Sequence, residues 1–164
     1  MAYAIVRTDN MTGSYNGTAL VSFKYLPSAT ATAIENGNVV LIGALVSGER
    51  EVYSASTPAV NSSLSAIALV ATPEVMADER KKNLNEFRNE AGEICRGYML
   101  RSGDVFSVST DGITAISGTA PAAGQIVELA AATKLKLVAS LTSGSTQVGT
   151  VIGIEGSYVV IKVV

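Results

Sequence analysis

The chain of 164 residues contains no histidine, no tryptophan, a single cysteine and only four prolines. Without histidine, the Ser-His-Asp and Cys-His nucleophilic systems and most zinc sites are excluded. Cys95 has no partner for an intrachain disulfide, so the fold does not depend on an oxidising compartment, and we expect a buried, unreactive thiol. We expect no enzymatic activity, no cofactor and no metal.

Charge is scarce as well. Charged residues make up 16% of the chain and the formal net charge is −2, so the basic surface typical of nucleic-acid binding is missing and we expect no direct contact with DNA or RNA. Neither long uncharged stretch, 52–73 or 137–154, is a continuous apolar run, which argues against a membrane span. The N-terminus lacks the apolar region of a secretory signal, so synthesis in the cytoplasm without a signal peptide is expected.

Hydrophobic residues, by contrast, make up 48% of the chain. Low-charge apolar surface is typical of association sites, so part of the surface is expected to be covered by partner subunits. A compact β-protein with a Ser/Thr-coated surface is the alternative.

Most of the chain has the pattern of short strands separated by Gly, Asn-Gly or Ser-Gly turns, which predicts a mainly β fold with small barrel- or sandwich-like halves. The turn signals predict a first hairpin between 3–8 and 19–25 and a last hairpin over 148–164 with its tip at 155–157. In the segment TKLKLVAS, alternation places Leu135 and Leu137 inward.

One central segment, 74–101, is built differently. It holds six acids and six bases, 12 of the 26 charged residues. The Thr72-Pro73-Glu74 signature and the spacing of Leu84 and Phe87 predict a short helix or turn over about 78–90, anchored by these two side chains, followed by a strand over about 94–100. The predicted organisation is an N-terminal strand or arm (1–12), a β-rich half (13–73), this charged connector (74–101) and a second β-rich half (102–164), with one compact domain formed by 13–73 and 102–164 as the alternative.

Pairs of carboxylates in and near the connector could serve a glycosidase-like hydrolase. The candidates are Glu74 with Asp78, Asp78 with Glu79, Glu86 with Glu90, and Asp104 with Asp111. Each acid of the connector has a base nearby, and Asp104 and Asp111 lack the several oxygen ligands that calcium needs. A solvated or intersubunit charged surface is therefore favoured over a catalytic pair.

Four blocks of the sequence, MAYAIVRTDNMTG, IENGNVV, DERKKNLNEF and RSGDVFSVS, resemble head decoration or cement proteins of tailed bacteriophages. The resemblance implies a structural virion protein that binds the outer surface of an assembled capsid, with the major capsid protein as its partner. It also implies a homo-oligomer, often a trimer at local threefold positions, although no feature of this chain fixes that symmetry. The family has no catalytic residues to transfer.

Under this hypothesis the N-terminal strand docks as an extended arm that adds to a capsid sheet edge, and the connector charges orient the protein against a neighbour. The alternative is a receptor- or carbohydrate-binding β-module of a head fibre or tail, for which the absence of tryptophan is unfavourable. The candidate interface residues are Tyr3, Ile5, Arg7, Asp78, Glu79, Arg80, Lys81, Lys82 and Arg88.

Overall fold

The computed structural model describes residues 2–78, 80–81 and 83–164, and it is mainly β. The described residues form twelve strands: β1 (Val6–Asn10), β2 (Leu20–Tyr25), β3 (Val39–Leu45), β4 (Val52–Ser56), β5 (Ile67–Val70), β6 (Cys95–Met99), β7 (Val105–Ser109), β8 (Ile113–Thr114), β9 (Ile126–Glu128), β10 (Leu135–Val138), β11 (Gln147–Glu155) and β12 (Tyr158–Val163). Short 3-10 turns complete the regular structure: Thr12–Ser14, Gly17–Ala19, Pro27–Ala29, Leu64–Ala66, Leu84–Glu86 and Thr110–Gly112. None of the helices in the described part has the length and apolar character needed to cross a membrane.

The strands form a closed barrel and a larger sheet. The barrel has the strand order β2-β4-β3-β5-β6, and the seven-stranded sheet has the order β1-β7-β12-β11-β9-β10-β8. The predicted first hairpin is wrong. Strand β1 pairs with β7, where Arg7 lies opposite Ser107, 100 positions later in the sequence, and β2 pairs with β6 and β4. The predicted last hairpin is confirmed as β11 and β12, which pair from Gly149 to Glu155.

The barrel and the sheet share one hydrophobic core. Val39, Ile67 and Leu69 on the outside of the barrel pack in the same buried cluster as Phe106 and Val108 of the sheet. A second, smaller cluster around Phe23 fills the barrel interior. The two β-rich parts are therefore joined by direct packing.

The central segment 74–101 holds no α-helix in its described residues, so the predicted charged helix is wrong; a single 3-10 turn, Leu84–Glu86, is present. The predicted strand that follows is confirmed as β6, and it belongs to the barrel. The irregular part therefore lies between β5 and β6, two neighbouring strands of one barrel. The prediction that this segment links the two β-rich parts is therefore wrong. We call residues 74–94 the β5–β6 segment.

Buried groups follow the predicted pattern in part. Leu135 and Leu137 are buried as predicted. Cys95 is also buried, and burial, helped by the nearby Glu93 carboxylate, raises the pKa of its thiol to about 11. Such a thiol is protonated at neutral pH and unreactive.

A buried carboxylate, Glu128, holds the loop after β10 against the sheet. Its side chain accepts hydrogen bonds from the Thr142 N–H (2.9 Å) and hydroxyl (2.9 Å), and it forms an ion pair with Lys136 Nζ (3.2 Å). Burial by itself raises the pKa of Glu128, but the bonds from Thr142 and Lys136 outweigh it and the pKa is lowered. The ionised form is therefore the one that the fold stabilises.

This lowered pKa predicts an acid-sensitive contribution to stability. Since the folded pKa of Glu128 is below its ordinary value of 4.5, the contribution is complete above about that pH and is lost as the pH falls through the folded pKa. Replacing Glu128 with glutamine should lower the melting temperature at about pH 6, and the difference from the wild type should shrink in acid. Thermal melts followed by circular dichroism across this range measure it, and a difference that grows in acid would contradict the assignment.

Candidate partner-binding surface

The β5–β6 segment is fixed at both ends by one buried side chain, Asn36. Its Nδ2 donates to the Thr72 carbonyl (2.8 Å) and to Glu74 Oε1 (3.2 Å), and its Oδ1 accepts from the Thr72 N–H (3.0 Å) and from Asn89 Nδ2 (3.2 Å). Asn89 is also buried and pairs with Ile34 through the backbone. Buried polar groups satisfied in this way fix a loop firmly. Most of the described residues between these anchors are exposed or half-buried.

Apolar side chains are exposed along this segment. Val75 is 82% exposed, Ile94 51% and Leu84 49%, whereas Phe87 is only 9% exposed. The prediction that Leu84 and Phe87 together anchor the segment is therefore confirmed for Phe87 and wrong for Leu84. Without the predicted helix, Leu84 and Phe87 do not share one apolar face.

Two ion pairs of the β5–β6 segment join residues that are close in the chain. Arg80 contacts Asp78 through two hydrogen bonds (3.0 and 2.9 Å), and Arg88 contacts Glu90 in the same way (2.9 and 3.0 Å). The Arg80 guanidinium, bonded to the Asp78 carboxylate, holds the pKa of that carboxylate below its usual range. Such exposed pairs add little to stability.

The N-terminal residues are docked against the same segment. The Tyr3 N–H donates to the Asn85 carbonyl (2.8 Å), and the Arg88 guanidinium lies 5.6 Å from the centre of the Tyr3 ring, a distance typical of a cation–π contact. The Ile5 N–H donates to Ser109 Oγ (3.0 Å). Tyr3 and Arg88, two of the predicted interface residues, are therefore in contact with each other.

Two neighbouring clefts border β1. One cleft of about 470 Å³ is lined by β1 together with Leu84, Glu74 and Tyr158, and a neighbouring cleft of about 220 Å³ lies over β1, β7 and β12. Both clefts are lined by Arg7, Asp9 and Tyr158. We call the two together the β1 groove. Its residues are Ile5, Val6, Arg7, Thr8, Asp9, Asn10, Glu74, Leu84, Val105, Phe106, Ser107, Glu155, Tyr158 and Val160.

The groove combines an apolar floor with a charged rim. Val105, Tyr158 and Val160 are partly buried on the floor, while Asp9 and Glu155 are exposed on the rim. Arg7 Nε lies 3.8 Å from Asp9 Oδ2, and both side chains are largely exposed. The arrangement can bind a segment that presents apolar side chains to the floor and basic groups to the rim.

Strand β1 is part of the protein's own sheet and is not a free arm. Val6 pairs with Val108 and Arg7 with Ser107, and Ala4, Val6 and Met11 are buried in the core. Deletion of residues 2–12 would remove these core side chains along with the strand. The Ile5 and Arg7 side chains are therefore held by a folded part of the chain.

The carbonyl groups at the end of β1 are already engaged. The Thr8 carbonyl accepts from the Met11 N–H (3.1 Å) and from the Ser14 hydroxyl, and the Asp9 carbonyl accepts from the Tyr15 hydroxyl (2.9 Å). Consecutive carbonyls point to opposite sides of a strand, so at most one of the two faces the open edge, and an acceptor bonded in this way is not free for an added strand. The turn after β1 thus limits strand addition here and leaves the side-chain groove as the accessible feature.

Among the predicted interface residues, Ile5 and Arg7 line the β1 groove, and Tyr3 lies beside Arg88. Asp78, Lys81 and Arg88 line a separate cleft of about 190 Å³ with Phe87. Arg80 is exposed, while Glu79 and Lys82 lie outside the described residues.

The sequence does not predict an interface role for four residues of the β1 groove: Asp9, Glu74, Glu155 and Tyr158. For Tyr158 a signal exists, since strict alternation with the buried Val159 places it on the opposite face.

Several acids of the candidate carboxylate pairs have structural partners, whereas Glu79 lies outside the described residues. Asp104 bonds to Thr12, Glu74 to Asn36 and Glu90 to Arg88. In the described part of the chain, no group of three or more Cys, Asp and Glu side chains is placed to hold a metal ion. Comparison of the chain with protein-family models, with curated proteins and with solved structures found no match.

Proposed function

We propose that this protein is a structural virion protein that binds the outer surface of an assembled tailed-phage capsid and stabilises it by bridging capsid subunits. The four sequence blocks that resemble head decoration proteins support the proposal. The observation that carries it is the single surface made by the N-terminal residues and the β5–β6 segment, where Ile5 and Arg7 lie with Leu84 in one groove and Tyr3 lies against Arg88.

The physical basis of bridging is a pre-formed surface repeated many times. The β1 groove lies on a paired strand, and the β5–β6 segment is fixed by Asn36, so little ordering is needed on binding. A basic, partly apolar segment of the major capsid protein would complement the apolar floor and acidic rim. Modest contacts add up when a homo-oligomer, with the trimer as the form that the resemblance implies, engages several subunits at once.

The groove predicts that a base placed at Leu84 weakens capsid binding. Leu84→Lys replaces an apolar contact with a positive charge that repels a basic segment, and it should lower the affinity for bare capsids by about tenfold or more, the loss expected of an interface residue that contributes over 1 kcal/mol. Ile94→Lys is the matched control, because Ile94 is similarly exposed in the same segment but does not line the groove. Co-sedimentation with purified capsids measures both variants. Equal losses for the two would remove the groove from the binding surface.

A second candidate function is a carbohydrate- or receptor-binding module of a head fibre or tail. The smaller cleft favours it, because Tyr158 lies there with Asp9, Asn10 and Glu155, an aromatic surface beside polar groups that can bond to hydroxyls. Glycan binding is measured for the wild type and for Tyr158→Ala. Loss of glycan binding in a variant that still co-sediments with capsids would establish this activity as a separate one.

A further inference from the structure

The interior of the barrel is closely packed in its middle. Phe23 and Ala68 are fully buried there. A β-carbon added at Gly97 would lie 3.0 Å from Val21 and 3.1 Å from both Ala68 and Phe23, which is too close for ordinary contact. The middle of the barrel therefore has no spare volume and forms a closed floor.

The barrel is open above this floor, at the end where β2 begins and β6 ends. A cavity of about 330 Å³ is lined there by Leu20, Val21, Ile42 and Met99, with Tyr53 at the rim. We call it the barrel mouth. It is an open cleft whose volume lies at the lower end of the range of small-molecule pockets, about 300–1,000 Å³, and the mouths of β-barrels are a usual place for such sites.

One positive charge lies at the edge of this apolar cavity. Arg101 lines the barrel mouth and is exposed. Its backbone N–H is bonded to Asp104, but its guanidinium takes part in none of the ion pairs of the described residues. The Thr18 side chain lines the same cavity. An apolar cavity with a cation at its edge complements an apolar group that carries a carboxylate.

We propose that the barrel mouth binds a small monocarboxylic acid whose apolar body holds about eight carbons. The body lies among Val21, Ile42 and Met99, and the carboxylate contacts Arg101. The β1 groove, with its acidic rim, does not favour such an anion, so the two sites differ in ligand chemistry. This binding does not depend on the proposed capsid function.

Octanoate is a suitable probe, and octanol is the control with the same tail and no charge. Titration of each into the full-length protein, followed by methyl NMR, should shift the signals of Val21, Ile42 and Met99. Arg101→Gln should weaken octanoate binding by about fivefold, the effect of losing one exposed charge contact, and leave octanol binding within about twofold. Lys162→Gln, an exposed charge on β12 far in sequence from the barrel, should change neither.

Three results would overturn the proposal. The first is the absence of octanoate-induced shifts at Val21, Ile42 and Met99 in the folded wild type. The second is equal weakening of octanoate and octanol by Arg101→Gln, which would mean that the guanidinium does not contact the carboxylate. The third is much tighter binding of an acetylated peptide that ends in leucine than of octanoate, which would assign the barrel mouth to a protein terminus.

Ile42→Trp, which places a larger side chain in the mouth, should abolish both octanoate and octanol binding while melting curves report that the variant is folded.

Discussion

Replacing Gly149 with alanine is expected to lower the free energy of unfolding by about 3 kcal/mol, at the upper end of the usual cost of overpacking. A β-carbon at this position would overlap the Lys162 carbonyl oxygen and lie 3.0 Å from Ile161 Cγ2. Gly149 lies in β11, which is hydrogen-bonded on both sides, to β12 and to β9. The backbone therefore cannot move away without breaking the ladder of the sheet.

The same strand supplies a matched control. Gly153 has no heavy atom within 4 Å of an added β-carbon, so Gly153→Ala should change the free energy of unfolding by no more than about 0.5 kcal/mol. Urea unfolding followed by circular dichroism compares the two variants. A similar small effect for both would mean that β11 and β12 are not packed as closely as described.

Replacing Asp104 with alanine is expected to cost about 3 kcal/mol, because three hydrogen bonds to a buried carboxylate are lost and their donors are left without an acceptor. Asp104 Oδ1 accepts from the Thr12 N–H (2.8 Å) and hydroxyl (2.6 Å), and Oδ2 accepts from the Arg101 N–H (3.1 Å). Thr12 follows β1 and Arg101 precedes β7. The carboxylate therefore fixes the end of β1 to the turn before its partner strand.

Asp111→Ala is the control for this variant, since the Asp111 side chain is exposed and only its carbonyl is bonded, to Lys134. It should shift the free energy of unfolding by no more than about 0.5 kcal/mol. Amide hydrogen exchange gives a second measurement, because Asp104→Ala should speed exchange at Thr12 and Arg101 specifically. If Asp104→Ala is as stable as Asp111→Ala, the contact does not hold the N-terminal strand.

The sequence predicted those parts of the fold that depend on local patterns. The alternation around Leu135 and Leu137 and the glycine turn between β11 and β12 involve residues close in the chain, where periodicity and turn chemistry are sufficient. The pairing of β1 with β7 was missed because it joins residues about 100 positions apart, and no local signal distinguishes it from a hairpin with β2.

The helix predicted over 78–90 failed for a different reason. Its capping signature at Thr72 and Glu74 is present, but both residues bond to Asn36, a buried side chain outside the segment. Helix propensity is weak, and an exposed helix with few apolar contacts gains little stability from packing. Tertiary contacts such as those to Asn36 therefore decide the local structure. The candidate surface was predicted at Ile5 and Arg7. Tyr158 lies there because β12 is next to β7 in the sheet, and Leu84 because the β5–β6 segment contacts the N-terminal residues.

The proposed function depends on recognition of an assembled shell, and co-sedimentation tests this most directly. The purified protein is mixed with intact capsids of its cognate major capsid protein and, separately, with the unassembled capsid protein. We expect saturable binding to intact capsids, at a fixed number of copies per particle. Binding to unassembled subunits should be much weaker, because bridging needs neighbouring subunits. Absence of saturable binding to intact capsids, with the protein folded by circular dichroism, would contradict the proposed function.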